Sequence, residues 1–243
     1  MDEPAAHGRQ RLKGAFLAAA AVSLLLNLVP FGRYALYPFG LLATWAHEMG
    51  HGLSALCLGG EFRQLVLFSN LGGYATHTAT GFLRSPLVAM GGLLGPAVAG
   101  AAVIVCSARS ERAARLTLGL VVGAIALSVL VWIRPLFGFG FVGMLLIAVA
   151  LGAVALRGHE LLELFMTQLI GIQLCLGSLS SFDYMFTRDF MRDGQRLESD
   201  TQAIANHWLL PYWLWGALIA AASLAILLGA FYLAWVRPER KRA

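Results

Sequence analysis

Charged residues are scarce in this sequence. Only 13% of the 243 residues are Asp, Glu, Lys or Arg, whereas a soluble domain has about 25%. Long stretches carry no charge, and 58% of all residues are hydrophobic. This composition excludes an ordinary soluble domain and predicts an integral membrane protein that contains several apolar helices.

Cysteine is also rare. Cys57, Cys106 and Cys175 lie inside apolar segments, and their odd number and spacing argue against a disulfide framework or a zinc knuckle. A basic face interleaved with aromatic residues is missing too, so no nucleic-acid partner is expected. The net charge of +5 comes from Arg residues at the ends of apolar runs, which is typical of membrane boundaries.

Seven apolar runs approach the length of about 20 residues that a helix needs to cross a bilayer. We expect one membrane domain over residues 1–243, all-α, with about six to seven transmembrane helices. Alternating seven crossings would put equal numbers of Lys and Arg on each side, so charge leaves the orientation open. The runs are residues 14–31, 38–58, 86–106, 116–133, 136–156, 160–181 and 209–236.

The segments between these runs differ in character. Residues 1–13 form a polar tail, and residues 237–243 form a basic one. Residues 61–81 are rich in β-forming side chains around a Ser-Asn-Leu-Gly-Gly turn, which predicts a β-hairpin after the second helix, with a plain loop as the alternative. Residues 184–208 form the longest polar loop, in which a capping box at residues 199–202 predicts a short surface helix.

The second apolar run contains the pentapeptide His47-Glu48-Met49-Gly50-His51, an H-E-x-x-H pattern. Residues four apart share one helix face, so His47 and His51 can bind one Zn²⁺ while Glu48 turns toward a bound water. Ionisable groups inside lipid cost about 2.5 kcal/mol or more each, which makes simple polar packing a poor explanation. We therefore predict one zinc ion, with Glu48 as the catalytic base and with space beside Gly50 for a substrate backbone.

A catalytic zinc site needs a third protein ligand. Asp183 is our first choice, because the Gly- and Ser-rich residues 177–181 could unwind the end of an apolar helix and turn the carboxylate inward. Asp200 is the alternative metal ligand, although the first turn of a capped helix favours an acidic residue anyway. Glu160 and Glu163 rank third, since they lie about 30 Å from Asp183 at the other end of the same run.

The predicted hairpin offers a place for a substrate. A strand edge beside the metal could hold an unwound peptide by strand addition. A protease needs such an extended backbone, because a helical peptide bond is shielded by its own hydrogen bonds. We assign Asn70, Gly72 and Gly73 to substrate binding, since small residues let two backbones come close. His77 could line the site, although a surface histidine is the simpler explanation.

These features resemble the site-2 protease family of intramembrane zinc metalloproteases, and especially its compact bacterial branch without a PDZ domain. The resemblance rests on the H-E-x-x-H pattern in an early span, the Gly-Gly hairpin after it, Gly95-Pro96 in the next span and an aspartate late in a later one. It implies zinc bound by both histidines and the late aspartate, near the cytosolic face. Residues 180–183 lack the Asn, Pro and Gly of the usual late motif, and residues 199–203 are similar to a Ser-Asp-Ala segment of the compact branch.

The resemblance implies an integral protein of the bacterial inner membrane, surrounded by lipid, that cuts a transmembrane protein substrate. The expected reaction is hydrolysis of a peptide bond in or near a membrane span by Glu48-assisted attack of zinc-bound water. Two alternatives remain, a zinc hydrolase of a non-peptide membrane substrate and a proton or metal transporter that uses the buried His and Glu cluster. The hairpin favours a peptide, and the lack of an internal repeat argues against a transporter.

Overall fold

The structure is a computed structural model that describes residues 3–180, 182–192 and 194–236. It is mostly helical, and a π-helical turn, Tyr232–Val236, follows the last helix. The helices are α1 (Glu3–Leu28), α2 (Gly32–Cys57), α3 (Arg84–Ser107), α4 (Glu111–Val131), α5 (Phe139–Arg157), α6 (Glu160–Ser180), α7 (Phe182–Met185), α8 (Asp200–Ala205) and α9 (Tyr212–Phe231). The strands are β1 (Phe62–Leu67), β2 (Gly73–His77), β3 (Asp189–Arg192) and β4 (Gln195–Glu198).

Six helices are long and apolar enough to cross a membrane. They are α1, α3, α4, α5, α6 together with α7, and α9 with its π-helical turn. α2 does not reach that level of hydropathy, because it carries Arg33 and the ionisable side chains of the H-E-x-x-H pattern. The prediction of a mainly α-helical membrane protein with six to seven such helices is confirmed.

Both ends of the described chain lie on one side of the helix bundle. Leu12 in α1, Ala114 in α4, Leu164 in α6 and Trp235 in the π-helical turn belong to one buried cluster. Arg11 lies beside the first residues of α4 and α6, Glu111 and Glu160. Seven alternating crossings would separate the two ends, whereas the six helices that are candidates to cross by length and composition would leave both ends on one side.

α2 and α3 approach each other closely because glycines line their contact. A Cβ on Gly50 would overlap the carbonyl oxygen of Gly91, and a Cβ on Gly95 would lie 2.6 Å from the carbonyl oxygen of Ala46. Small residues permit this separation between helices in a membrane. The expectation that Gly50 leaves space for a substrate is wrong, since the backbone of α3 fills that space.

β1 and β2 form the expected antiparallel hairpin after α2, with Leu65 opposite Ala75 and Leu67 opposite Gly73. β1 is bonded on its outer edge as well. The N–H of Leu65 donates to the carbonyl of Trp132, and the carbonyl of Leu65 accepts from the N–H of Arg134. β1 is therefore enclosed on both edges, whereas β2 forms the border of the sheet.

Residues 184–208 are more ordered than the polar loop expected from the sequence. β3 and β4 form a second antiparallel hairpin, in which Asp189 lies opposite Glu198. Ser199 caps α8 as predicted, because its hydroxyl accepts from the N–H of Gln202. The prediction of a surface helix is wrong, since Ile204 is buried in one cluster with side chains of α3 and α9. Contacts with those distant helices, which the local sequence does not encode, bury α8.

Candidate metal centre

Three side chains converge between α2 and the start of α8. The Nε2 atoms of His47 and His51 are 3.1 Å apart. The Oδ2 atom of Asp200 lies 3.2 Å from Nε2 of His47 and 3.3 Å from Nε2 of His51. Ligand atoms about 2.0–2.1 Å from a tetrahedral zinc ion lie about 3.3 Å from one another, so this donor set fits zinc. Oδ2 of Asp200 is also buried without a hydrogen-bond partner in the described residues, as expected of a metal ligand.

The position of Asp200 follows from the packing of α8. Ser199 starts the helix, and Ile204 anchors it against α3, so the first helical residue points across to α2. The N–H of Asp200 donates to the hydroxyl of Tyr184 at 3.2 Å, and the Tyr184 ring lies edge-on to His47. Tyr184 therefore contacts the His47 ring and also bonds to the backbone of Asp200, so that it touches two of the three candidate ligands.

The structure does not bring Asp183 to this centre. Asp183 lies in α7 with an exposed side chain, and its carbonyl accepts from the hydroxyl of Thr187. The next residue, Tyr184, is the one that turns inward. Glu160 and Glu163 lie near Arg11 and Arg115 at the opposite end of α6. Among the described His, Cys, Asp and Glu side chains, the group that could hold a metal is His47, His51 and Asp200.

His51 is oriented by α3. Its Nδ1 is 3.0 Å from the carbonyl oxygen of Val88, which accepts the Nδ1–H and leaves the Nε2 lone pair facing the other two ligand atoms. Gly92 provides the room for this ring, since a Cβ there would overlap Nε2 and Cε1 of His51. The first half of α3 thus supports the centre through a carbonyl group and a missing side chain.

Glu48 is buried on α2 beside the hairpin. A Cβ on Gly73 would lie 3.0 Å from Cγ and 3.1 Å from Oε1 of Glu48. The first residue of β2 is therefore packed against the candidate base, and a side chain at this position would push Glu48 away. Gly73 thus lines the cavity beside Glu48, and its assignment to substrate binding stays a prediction.

Asn70 and Gly72 lie in the hairpin turn. The Asn70 side-chain oxygen accepts from the N–H of Gly72 at 3.0 Å, and the carbonyl of Gly72 accepts from Phe68. Both residues therefore stabilise the turn itself. The part of the hairpin that lines the cavity at the metal centre lies further along β2, at Gly73, Ala75 and His77.

The cavity has a volume of about 330 Å³ and contains the candidate ligands and Glu48. Its walls come from α2, α3, β2, α7 and the β3–β4 hairpin. A larger cavity of about 600 Å³ between α1, α2 and α6 contains none of the candidate ligands, so volume alone does not identify a site. The lining side chains of the smaller cavity include Val88, Ala89, Tyr184, Phe190, Leu197 and Glu198.

Two groups in this cavity lie outside the membrane-crossing helices and have shifted pKa values. Burial by itself would raise the pKa of the Asp200 carboxyl, but the two adjacent histidines hold that pKa well below its usual range. Burial, together with the neighbouring His51, lowers the pKa of His77.

A protein-family model described as Peptidase M50B-like matches residues 16–230. The chain belongs to this family. The match covers α2, both hairpins and Asp200, and it confirms the resemblance to site-2 proteases predicted from the sequence. Comparison with curated proteins and with solved structures gave no significant match.

Membership in this family indicates the general function of the M50B-like protein. Site-2 proteases are zinc-dependent metallopeptidases that act on membrane proteins, and the six apolar helices make the chain an integral membrane protein. The candidate ligands supply a possible metal-binding group that agrees with this class.

Proposed function

We propose that this M50B-like protein is an intramembrane zinc metalloprotease that hydrolyses a peptide bond in or near a transmembrane segment. The observation that carries the proposal is the convergence of His47, His51 and Asp200 beside Glu48, in a cavity bordered by a strand edge. A bacterial inner membrane is the proposed location, as the resemblance to the compact branch implies.

One Zn²⁺ ion would be bound by His47, His51 and Asp200, with a fourth position left for water. Asp200 takes the place that the sequence assigned first to Asp183, because its carboxylate touches both histidines. When bound, zinc lowers the pKa of its water to about 7 and supplies a nucleophile at neutral pH.

Glu48 performs the proton transfers. It accepts a proton as the water oxygen bonds to the carbonyl carbon of the substrate. When the carbon–nitrogen bond breaks, Glu48 passes that proton to the leaving nitrogen. One water molecule is consumed, a carboxylic acid and an amine are formed, and Glu48 returns to its initial state.

The outer edge of β2 is the proposed substrate platform. The backbone groups of Leu65 point away from β2, so those of its partner Ala75 point away from β1 by the alternation of antiparallel pairing. Gly73 is the partner of Leu67, and by the same alternation its backbone groups also point away from β1. Among the described residues, no backbone group bonds to this edge at Gly73 or Ala75. A peptide that pairs there runs past Glu48 in extended form.

This edge also bears on the alternative functions. A lipid or another non-peptide substrate has no backbone to pair with it, so the open edge favours a peptide. A transporter needs ionisable groups on both sides of a path. At the opposite end of the bundle, however, the buried Glu163 is already bonded to Arg115 at 2.7 Å.

Zinc analysis of purified variants tests the proposal. We expect one zinc per chain in wild type, Glu48→Gln and Asp183→Ala, and loss of zinc in His47→Ala and Asp200→Ala. Asp183→Ala is the matched control, since it removes a nearby carboxylate that lies outside the cavity. Retention of zinc by Asp200→Ala together with loss in Asp183→Ala would restore the original ligand assignment, and full zinc in His47→Ala would remove the site.

Cleavage of single-span membrane proteins, reconstituted with the enzyme in liposomes, tests the reaction itself. Wild type should release fragments cut in or near the span, and Glu48→Gln should release none while it still binds zinc. Equal cleavage by both proteins would exclude Glu48 as the base. Zinc movement across the same liposomes without cleavage would favour the transporter.

A further inference from the structure

His77 is the last residue of β2, and its side chain lies on the face of the strand where Gly73 approaches Glu48. Side chains two and four apart along a strand lie on the same side of the sheet. On this face, Gly73 is packed against Glu48, and the His77 ring lies 6.4 Å from the His51 ring at an angle of 19°. One face of β2 therefore extends from the candidate base to a candidate metal ligand.

A β-bulge adjusts the hairpin at this point. Phe62 pairs with His77, and Gln64 pairs with the preceding residue, Thr76, so Arg63 is an extra residue in β1. Bulges bend a strand and redirect side chains, and they are frequent beside active sites. The irregularity lies opposite His77, which lines the cavity.

The Nδ1 atom of His77 is buried and has no hydrogen-bond partner among the described residues. The ring lines the cavity but is outside the group of ligand atoms that could share a metal. The hydroxyl of Tyr184, another polar ring in the cavity, already accepts from the N–H of Asp200. His77 is thus placed beside the metal centre with an unused hydrogen-bonding atom.

We propose that Nδ1–H of His77 donates a hydrogen bond to the oxygen of the scissile carbonyl as negative charge develops on it. This role rests on the proposed protease function. A peptide paired with the outer edge of β2 lies beside the strand in the plane of the sheet, where its carbonyl groups pass the cavity that His77 lines. The ring stabilises the tetrahedral transition state and transfers no proton, so the balance of the hydrolysis is unchanged.

Kinetics of His77→Ala and His77→Gln test the role, with the exposed His159→Ala at the far end of α6 as a control. The probe is a Leu/Ala-rich transmembrane peptide with a central Gly-Gly and a fluorescence donor and quencher. We expect kcat of His77→Ala to fall about 100–1,000-fold, with KM changed less than about threefold. His77→Gln should recover at least about tenfold, since its amide donates a hydrogen bond, and every variant should keep one zinc.

A second measurement uses binding alone. A phosphinate peptide, tetrahedral at the position of the scissile carbonyl, should bind His77→Ala about 100-fold more weakly than wild type. The corresponding amide peptide is planar at that position and carries no developing charge. It should therefore bind the Glu48→Gln variant and the Glu48→Gln/His77→Ala double variant with equal affinity.

Several outcomes would overturn the role of His77. They are unchanged kcat and phosphinate affinity, loss of zinc in His77→Ala, or a rise in KM with kcat unaltered. A wild-type protein that neither cleaves the peptide nor binds the phosphinate would instead remove the protease proposal, and the role of His77 with it. Equal behaviour of wild type and His77→Ala, with Glu48→Gln inactive, overturns His77 alone.

Discussion

Gly92 and Gly73 leave the space that two polar groups of the metal centre occupy. Gly92 faces the His51 ring, and Gly73 faces the Glu48 side chain. In each case the site depends on a missing side chain as much as on a polar one. Sequence inspection identified Gly73 through its turn, but it had no means of pairing Gly92 with His51 across two helices.

Gly92→Ala should weaken zinc binding at least about tenfold, because its Cβ would displace the His51 ring from the other ligand atoms. Gly119→Ala is the matched control, since a Cβ at that helical position meets no atom within 4 Å. Competition with a zinc chelator measures both affinities. Equal zinc affinities of Gly92→Ala and Gly119→Ala would mean that α3 shifts enough to accommodate the added methyl group.

Tyr184→Phe should weaken zinc binding about 10–100-fold while leaving the protein folded. The change removes only the hydroxyl that accepts from the N–H of Asp200. Tyr34→Phe removes a hydroxyl near Arg33, away from the cavity, and should leave zinc binding as in wild type. The same chelator titration gives the answer, and unaltered affinity in Tyr184→Phe would show that α8 packing alone positions Asp200.

The H-E-x-x-H part of the site could be predicted because its geometry is local. Four residues make about one helical turn, so the sequence spacing alone places His47 and His51 on one face. Asp200 is separated from them by more than a hundred residues. Its position depends on the burial of α8 against α3, which leaves no periodic signal in a six-residue helix.

Among the structural elements, only the first of the two hairpins could be predicted from the sequence pattern. Residues 61–81 combine β-forming side chains with a Gly-Gly turn, and the hairpin predicted there is present. β3 and β4 have four residues each and alternate little between polar and apolar side chains, so the sequence suggested only a loop. The apolar runs at residues 86–106, 136–156 and 160–181, by contrast, match α3, α5 and α6 to within three residues, whereas α1 begins eleven residues before the predicted run.

Ala75→Pro tests β2 as a substrate platform. The N–H of Ala75 points to the outer edge, so its loss leaves the β1–β2 ladder intact, and proline is tolerated at such edges. We expect KM for a membrane substrate to rise about tenfold or more, with zinc content unchanged. Thr76→Pro is the contrasting variant, because its N–H faces β1 and its loss should destabilise the hairpin. An unchanged KM in Ala75→Pro would exclude strand addition at this edge.

At the scale of the whole molecule, the six candidate membrane-crossing helices predict which loops share a side. Ser110 and Gly158 lie in loops on the side of the chain ends, whereas Gly81 and Arg134 lie in loops on the side of the metal centre. The sequence showed seven apolar runs and could not reveal this arrangement, because hydropathy does not report whether a helix passes fully through the bilayer.

Single cysteines at these four positions, in a background without the native cysteines, test the arrangement. An impermeant maleimide applied to intact cells should label Ser110→Cys and Gly158→Cys together, or Gly81→Cys and Arg134→Cys together. One labelled position from each pair would contradict the six-crossing arrangement. The same labelling fixes the orientation, which the distribution of Lys and Arg leaves open.

The shared side of the two chain ends has a practical consequence for assembly. A fluorescent protein, an affinity resin or a solid support joined beyond the described ends, near Leu12 or Trp235, would lie on the side of the helix bundle opposite the metal centre. Two copies can also be joined end to start by a linker that stays in one aqueous compartment. A single-chain pair in which one copy carries Glu48→Gln can therefore be made. Its activity would show whether one cavity works independently of the other.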